Sequence, residues 1–321
     1  MEISVIVPTY NDREDLEKCL SAISKSSYKP YEVIVVDDAS IKQMKDIVDK
    51  YNFKYKRLRN NSGQATARNV GAKLARGNIL FFIDSNVVIR KNTIEKVAKA
   101  YKRNPNFNIY QGIASKIPVN KGFGPKLFAL KWYFELSKIR KASFVYSHVF
   151  SIKKDVFNEV GGFNERFKPP GGGEEFDLGH RLRKKYIVHT DPKLLVEHKF
   201  QNILPRTLTL YRRSYVYASL FSKEKKFEKA LASLQEALIG IVNILIVAAL
   251  VLSVTNVFFI YIFVVLFFFQ SMLNFNYYNF LWKEEGFFFM LRAIPPMMLW
   301  SIAQILGAAD FYVRKTLTLI K

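Results

Sequence analysis

The stretch ILFFIDSNVVI, residues 79–89, carries both the fold and the question of function. A run of apolar residues ends on Asp84-Ser85-Asn86, and apolar character resumes at Val87-Val88-Ile89. A short apolar run reads as a buried strand, and a carboxylate and an amide at its end have two uses. They cap a turn through their own side chains, or they face a ligand that needs oxygen donors.

The same pattern recurs upstream. ISVIV (3–7) is a β-branched run that ends at Pro8 and is followed by Thr9, Tyr10 and Asn11, and EVIVV (32–36) ends on Asp37-Asp38. Between these two strands, Asn11 or Asp12 can cap a helix with Leu16, Leu20 and Ile23 on one face. A third apolar-polar stretch covers 53–58, and SGQATARNVGAKLA (62–75) reads as a helix opened by Ser62-Gly63. Strand–helix alternation of this kind calls for an α/β fold with a mostly parallel sheet covered on both faces. Ligands in such sheets bind beyond the carboxyl ends of the strands, where three ends here carry polar groups.

After residue 105 the alternation loosens. FNIYQGIAS (107–115) and SFVYSHVFSI (143–152) read as strands separated by an aromatic-basic stretch, and KLLVEHK (193–199) as the last strand. A Gly/Pro-rich loop, GGFNERFKPPGGGEEFDLGHRLRKK (161–185), runs into a helix.

Composition divides the chain. Of 49 Lys/Arg and 27 Asp/Glu, 44 and 24 fall within residues 1–236, so the net charge of +22 lies almost wholly upstream of an apolar tail. A basic part joined to such a tail suits an anionic membrane surface, whereas nucleic acid would account for the charge alone. Residues 205–236 are basic and helical in pattern, with Arg206, Arg212, Arg213, Lys223, Lys225, Lys226 and Lys229 interleaved with Leu and Tyr, a pattern suited to the headgroup layer. Residues 237–269 contain no charge. At ~1.5 Å per residue that run overshoots a hydrocarbon core of ~30 Å, so it is one tilted span or a hairpin broken near Ser253–Asn256. A further apolar segment, 286–309, holds Arg292 and Pro295-Pro296 and reads as a kinked span or an interfacial helix. Two spans would leave both flanking charge clusters cytoplasmic.

One cysteine, Cys19, at helical spacing with Leu16, Leu20 and Ile23, excludes an intrachain disulfide and fits a core position in a reducing compartment. The opening residues enter a strand at once, without a signal-peptide pattern, so the amino-terminal domain is expected to be cytoplasmic. The expected organisation is a catalytic domain over 1–204, basic interfacial helices over 205–236 and membrane helices over 237–321 in the cell membrane.

SVIVPTYN, EVIVVDDAS, ARNVGAKLARGNILFFIDSN, GGFNERF and GGGEEFDLGHRL occur in the order seen in family 2 glycosyltransferases with the GT-A fold, and the chain resembles that family over about residues 2–200. The resemblance implies that Pro8, Thr9, Tyr10 and Asp38 surround the base and ribose of a nucleotide-sugar donor, UDP- or GDP-linked, with Asp37 nearby. The residue-level alternative is that both aspartates only start the next turn through Asx bonding. Arg68 is implied at the donor, where it either neutralises phosphate or holds Asp84; the residue-level alternative is a plain surface arginine. Asp84-Ser85-Asn86 occupies the position of the family's Asp-x-Asp, which implies a divalent metal, Mg²⁺ or Mn²⁺, at Asp84 and Asn86. Asn in place of the second Asp removes one formal charge, and His198 after the last strand is implied as a further ligand. Glu175 falls on the position of the general base of an inverting transfer, one methylene longer than the usual Asp. Glu174, Gly161, Gly162, Phe163 and Arg181 are implied on the acceptor side with glycines 171–173, and Asp177 either caps the helix or pairs with Arg181.

The expectation is a metal-dependent, inverting glycosyltransferase acting on a hydroxyl of a lipid-linked or membrane-proximal acceptor, without nucleic acid. A polyprenyl-phosphate glycosyl synthase is the variant within the fold. A nucleotide-cofactor oxidoreductase lacks its Gly-x-Gly-x-x-Gly after the first strand, and a non-catalytic membrane scaffold does not need acids at three strand ends.

Overall fold

The computed structural model describes residues 1–167, 172–224 and 234–320; Gly171, Lys225, Lys226 and Lys229 lie outside these. The chain divides into two units, Met1–Phe200 and Gln201–Lys321.

The first unit runs β1 (Ile3–Thr9), α1 (Arg13–Ser24), β2 (Glu32–Asp37), α2 (Lys45–Asp49), β3 (Lys54–Arg57), α3 (Gln64–Leu74), β4 (Ile79–Phe82), β5 (Val87–Ile89), α4 (Thr93–Arg103), β6 (Ile109–Ala114), α5 (Phe123–Leu136), β7 (Lys141–Ala142), β8 (Phe150–Lys153), α6 (Lys154–Glu159), α7 (Glu174–Arg183) and β9 (Val188–His198). One mixed sheet has the order β3-β2-β1-β4-β8-β6-β9-β5, with β7 added beside β9. β3, β2, β1 and β4 are mutually parallel, β8 is antiparallel to both its neighbours, and β6 is parallel to β9.

The period-two alternation of the strands fills two cores. Ile3, Val5 and Val7 of β1 pack with Leu16, Cys19 and Leu20 of α1 on one face. Ile6 joins Ala65, Ala67 and Ala72 of α3 and Leu178 and Leu182 of α7 on the other. Small residues on α3 let it lie close to the sheet: a Cβ on Gly71 would sit 2.4 Å from a methyl of Ile6. This places the amino end of α3, and with it Arg68, at the carboxyl ends of β1 and β4. Chain order reverses between those two strands, with β2 reached from β1 on one side, so a crevice opens there.

Two readings of the sequence differ from the fold. Residues 143–152 do not form one strand; a single turn at Ser147–Val149 precedes the four-residue β8. Residues 87–89, across the Asp84-Ser85-Asn86 turn, form β5, antiparallel to the end of β9, with Val87 opposite His198.

The second unit contains α8 (Ile203–Glu224), α9 (Leu234–Leu252), α10 (Phe258–Leu273), α11 (Phe275–Glu285) and α12 (Phe287–Ile320). The uncharged run breaks after Leu252, which is the hairpin alternative, and Gln235 at the start of α9 reaches the carbonyl of Leu273 at the end of α10. α12 continues through Pro295-Pro296. Small and polar groups join the helices. A Cβ on Gly307 would lie 2.1 Å from the Tyr211 carbonyl, and Asn243 donates to Ser301 Oγ at 2.7 Å. Among the described residues, Leu234–Leu252 and Phe287–Leu317 are long and apolar enough to cross a membrane, and α10 with α11, bent by 71°, would make a third span if the pair counts as one. Leu245, Val251, Phe258, Val265 and Phe268 face outward, an exposed apolar surface of the kind that marks a membrane or protein interface.

Candidate active site

The site is organised around Arg68. The α3 helix carries this arginine beneath the sheet's carboxyl edge, where its side chain is 1% exposed. Nη2 donates to Asp84 Oδ1 at 2.7 Å and Nη1 to Glu174 Oε1 at 3.2 Å. Gln64, one turn earlier on α3, donates its amide to the same Glu174 oxygen at 2.6 Å. One guanidinium thus joins the end of β4 to the start of α7, whose Glu174 lies 106 positions beyond Arg68 in the chain. Burial overturns the reading of Arg68 as a plain surface residue, and its side chain holds Asp84. Phe163 packs under the cation, 5.3 Å from ring centroid to guanidinium carbon, and is itself 2% exposed. It therefore supports Arg68 from the core.

The charges follow from this arrangement. Burial alone would lower the affinity of Arg68 for its proton, but Asp84, Glu174 and Glu175 together raise it above the ordinary value. Burial would raise the Asp84 carboxyl; the guanidinium, with smaller contributions from His148 and His198, outweighs this and holds it below the usual range. Glu175 follows Glu174 in the first turn of α7, and His198 lies opposite Val87, next to the Asp84-Ser85-Asn86 turn. His148 and His198 are themselves neighbours, with ring centroids 5.2 Å apart.

α7 begins at Glu174 after Gly173, whose φ of +122° is glycine territory. Its first turn carries Glu174, Glu175 and Asp177, acids favoured there by the helix dipole. Glu174 points inward and is buried. The half-buried Glu175 is hydrogen-bonded through Oε1 to Ser147, whose N–H lies at 3.1 Å and whose hydroxyl lies at 2.5 Å. Asp177 pairs with Arg181 Nε at 2.8 Å. Arg181 also donates to the carbonyls of Val160 and Gly162, so it clamps the Gly161-Gly162-Phe163 loop from below. Gly161 and Gly162 have positive φ. Asn69 fixes the same loop from α3 by bonding both the N–H and the carbonyl of Phe163.

On the donor side, Pro8 and Thr9 close β1 opposite Val36 and Asp37. Thr9 is buried with no hydrogen bond to its hydroxyl, and Tyr10 beyond it is exposed. Asp38 accepts the N–H groups of Ser62 and Gly63, both at 2.7 Å, and so ties the end of β2 to the start of α3. Burial raises its carboxyl despite those two bonds. Asp37 is fully buried, makes the Asx bond to the Ser40 N–H at 2.9 Å and accepts the Tyr55 hydroxyl at 2.6 Å. A continuous chain of contacts therefore runs from Asp38 through Ser62-Gly63, Gln64, Glu174 and Arg68 to Asp84.

Behind the Asp84-Ser85-Asn86 turn, Asp12 accepts from Ser85 Oγ at 3.3 Å, and Asp15 pairs with Lys199, whose N–H bonds the Asn86 carbonyl. Burial, then neighbouring Asp15, pushes Asp12 up to about 6. A 1150 Å³ surface hollow lined by Glu17, Lys18, Lys25, Tyr51 and Lys91 lies on the α1 face, away from this site.

The metal expected at Asp84, Asn86 and His198 can be tested on the donor atoms. Among the described residues no three His, Cys, Asp or Glu side chains gather as a metal-holding group. Asn86 Oδ1, however, is buried without a hydrogen bond, two positions from Asp84. One carboxylate, one orphaned amide oxygen and a nearby imidazole fit a divalent cation that takes most of its ligands from a substrate's oxygens, as Mg²⁺ and Mn²⁺ do. Asn69, Gln64 and Ser147 are site residues that sequence reading missed; the contacts that join them to Phe163, Glu174 and Glu175 span 94, 110 and 28 positions.

Residues 4–161 match the family described as Glycosyl transferase family 2. The chain is 30% identical over 171 residues to an uncharacterized glycosyltransferase of Haemophilus influenzae, covering 50% of this chain and 56% of that one. It is 40% identical over 105 residues to TarS, a poly(ribitol-phosphate) beta-N-acetylglucosaminyltransferase of Staphylococcus aureus, covering 30% of this chain and 18% of TarS. It thus spans about half or less of these relatives. The crystal structure of TarS 1-349 superposes with a TM-score of 0.52 at 22% identity, over 68% of this chain and 65% of that one. The mannosyltransferase PcManGT of Pyrobaculum calidifontis, in complex with GDP-Man and Mn²⁺, gives a TM-score of 0.59 at 16% identity over 97% and 87%. At these identities the structures establish a shared GT-A fold. The amino-terminal unit, in which sequence match and fold agree, belongs to glycosyl transferase family 2.

Proposed function

We propose that this chain transfers a sugar from a nucleotide-diphosphate donor to a hydroxyl of a lipid-linked or membrane-proximal acceptor, with inversion at the anomeric carbon. The observation that carries the reading is the Asp84–Arg68–Glu174 bridge, which brings a phosphate-side carboxylate and the Glu174-Glu175 pair to one crevice. The base and ribose lie between Tyr10 and Asp38, at the ends of β1 and β2. The sugar then extends toward the amino end of α7. Glu175 takes the proton of the acceptor hydroxyl from the face opposite the leaving diphosphate, and this single displacement inverts the configuration. Arg68 keeps Asp84 ionised and oriented. Asp84 and Asn86, with His198, would hold a divalent cation, which when bound neutralises charge on the departing diphosphate. The relatives' names support a UDP- or GDP-linked donor: TarS is a beta-N-acetylglucosaminyltransferase, and the PcManGT complex contains GDP-Man and Mn²⁺.

The length and apolar character of α9 and α12 support membrane attachment. With both spanning the cell membrane and the catalytic unit in the cytoplasm, a lipid-linked acceptor would be delivered from the bilayer. The test is nucleotide release by the detergent-solubilised chain from UDP-GlcNAc, UDP-glucose, UDP-galactose and GDP-mannose with Mn²⁺. One of these donors is expected to turn over, and EDTA to abolish it. No release from any, or binding of NAD alone, would contradict the proposal.

A further inference from the structure

Glu175 differs from the aspartate expected at its position by one methylene, and a longer side chain has more ways to miss its target. We propose that Ser147 is a positioning residue for Glu175; the inference rests on the reading of Glu175 as the general base. Ser147 is 1% exposed and gives both its N–H and its hydroxyl to Glu175 Oε1. Two donors on one oxygen fix both where the carboxylate lies and which way it faces, and the added length is taken up in reaching them.

Ser147 is itself held from behind. Gln111, fully buried on β6, accepts the Tyr146 N–H at 2.8 Å and donates to the Phe144 carbonyl at 3.3 Å, so one amide grips the backbone on both sides of Val145. Its amide is oriented in turn by Thr190 Oγ1 on β9 at 3.1 Å. On the other side, α7 lies directly against that backbone. A Cβ on Gly179 would come within 2.3 Å of the Phe144 Cα, so only glycine allows this approach. The sheet thus sets the height of Ser147, and Gly179 sets the distance of the helix that carries Glu175. The result is a carboxylate held by a sheet-anchored turn instead of by its own short stem. It also explains why residues 143–149 leave the strand geometry their sequence suggests: the Ser147–Val149 turn is what presents two donors in one direction.

The test is a double-mutant cycle on the full chain in detergent, reading nucleotide release from whichever of UDP-GlcNAc, UDP-glucose, UDP-galactose and GDP-mannose turns over. Ser147→Ala is expected to lower kcat about ten- to hundredfold, as a base displaced by a fraction of an ångström does, with KM for the donor unchanged. Ser147→Thr, which keeps the hydroxyl, is expected to recover most of the loss. In a Glu175→Gln background, Ser147→Ala is expected to cost nothing further, because Ser147 acts through the base. Wild-type kcat in Ser147→Ala, or the same fold-loss in both backgrounds, would overturn the inference while leaving Glu175 as the base. Full activity in Glu175→Gln, or no turnover of any donor, would overturn both.

Discussion

Glu175→Gln is expected to lower turnover by about two to four orders of magnitude while leaving donor affinity near that of the wild type. The substitution is nearly isosteric. Gln Oε1 can still accept both hydrogen bonds from Ser147, so the amino end of α7 keeps its place. The amide cannot take the acceptor's proton. The loss is therefore expected on kcat, and nucleotide binding, proposed to rest on Asp38 and Asp84 at other strand ends, is expected to be spared. An acceptor that is already an anionic phosphate needs no base. Turnover within a few-fold of the wild type, with the nucleotide still bound, would move the assignment to a polyprenyl-phosphate acceptor.

Replacing Arg68 by Met is expected to destabilise the protein by about 3–5 kcal/mol, the range for removing one partner from a buried ion pair. Methionine retains much of the apolar stem over Phe163. It leaves Asp84 and Glu174 without the cation that faces both of them. The pH dependence gives the cause away. In the wild type, Arg68 holds the Asp84 carboxyl below its ordinary range, so this stabilisation is fully present above the unfolded carboxylate range and is lost as pH falls through the lower folded value. In the variant, burial is opposed only by the smaller contributions of His148 and His198 and raises the Asp84 carboxyl, so acidification relieves the strain. The gap between the thermal midpoints should be widest at neutral pH and narrow as pH falls below about 5. A gap independent of pH would point to lost packing, and no gap at all would remove Arg68 from the centre of the site.

Much of the parallel half of the sheet is legible in the sequence, because strands buried on both faces read as continuous β-branched runs. ISVIV, EVIVV and NILFFI all give themselves away in this manner. α1 is legible through Leu16, Leu20 and Ile23 on one face. α5 is not, since its apolar residues surround the helix and define no face. Residues 143–149 carry a strand composition, yet the fold bends them, because Gln111 reaches across 33 positions to capture the Phe144 carbonyl. Nothing local announces that partner.

The same division runs through the site. Asp84 stands out because an acid ends an apolar run, and Glu174-Glu175 because acids cluster behind glycines. Arg68 leaves several roles open in sequence, a plain surface position among them, and only the fold shows it buried against Asp84 and Glu174. Phe163 and Arg181, implied on the acceptor side, are placed under the loop, one in the core and one clamping carbonyls. Charge type is readable from sequence; which groups share a guanidinium is a property of the packed sheet.

The central claim is that Asp38, Asp84 and Glu175, distant along the chain, serve one nucleotide-sugar site. Its most direct test is a structure of the Glu175→Gln protein with the donor that turns over and Mn²⁺. The account predicts the base beside Asp38 and Tyr10, the diphosphate at Asp84 and Asn86, and the anomeric carbon facing residue 175. A nucleotide bound on the α1 face, or one whose sugar points away from α7, would contradict it.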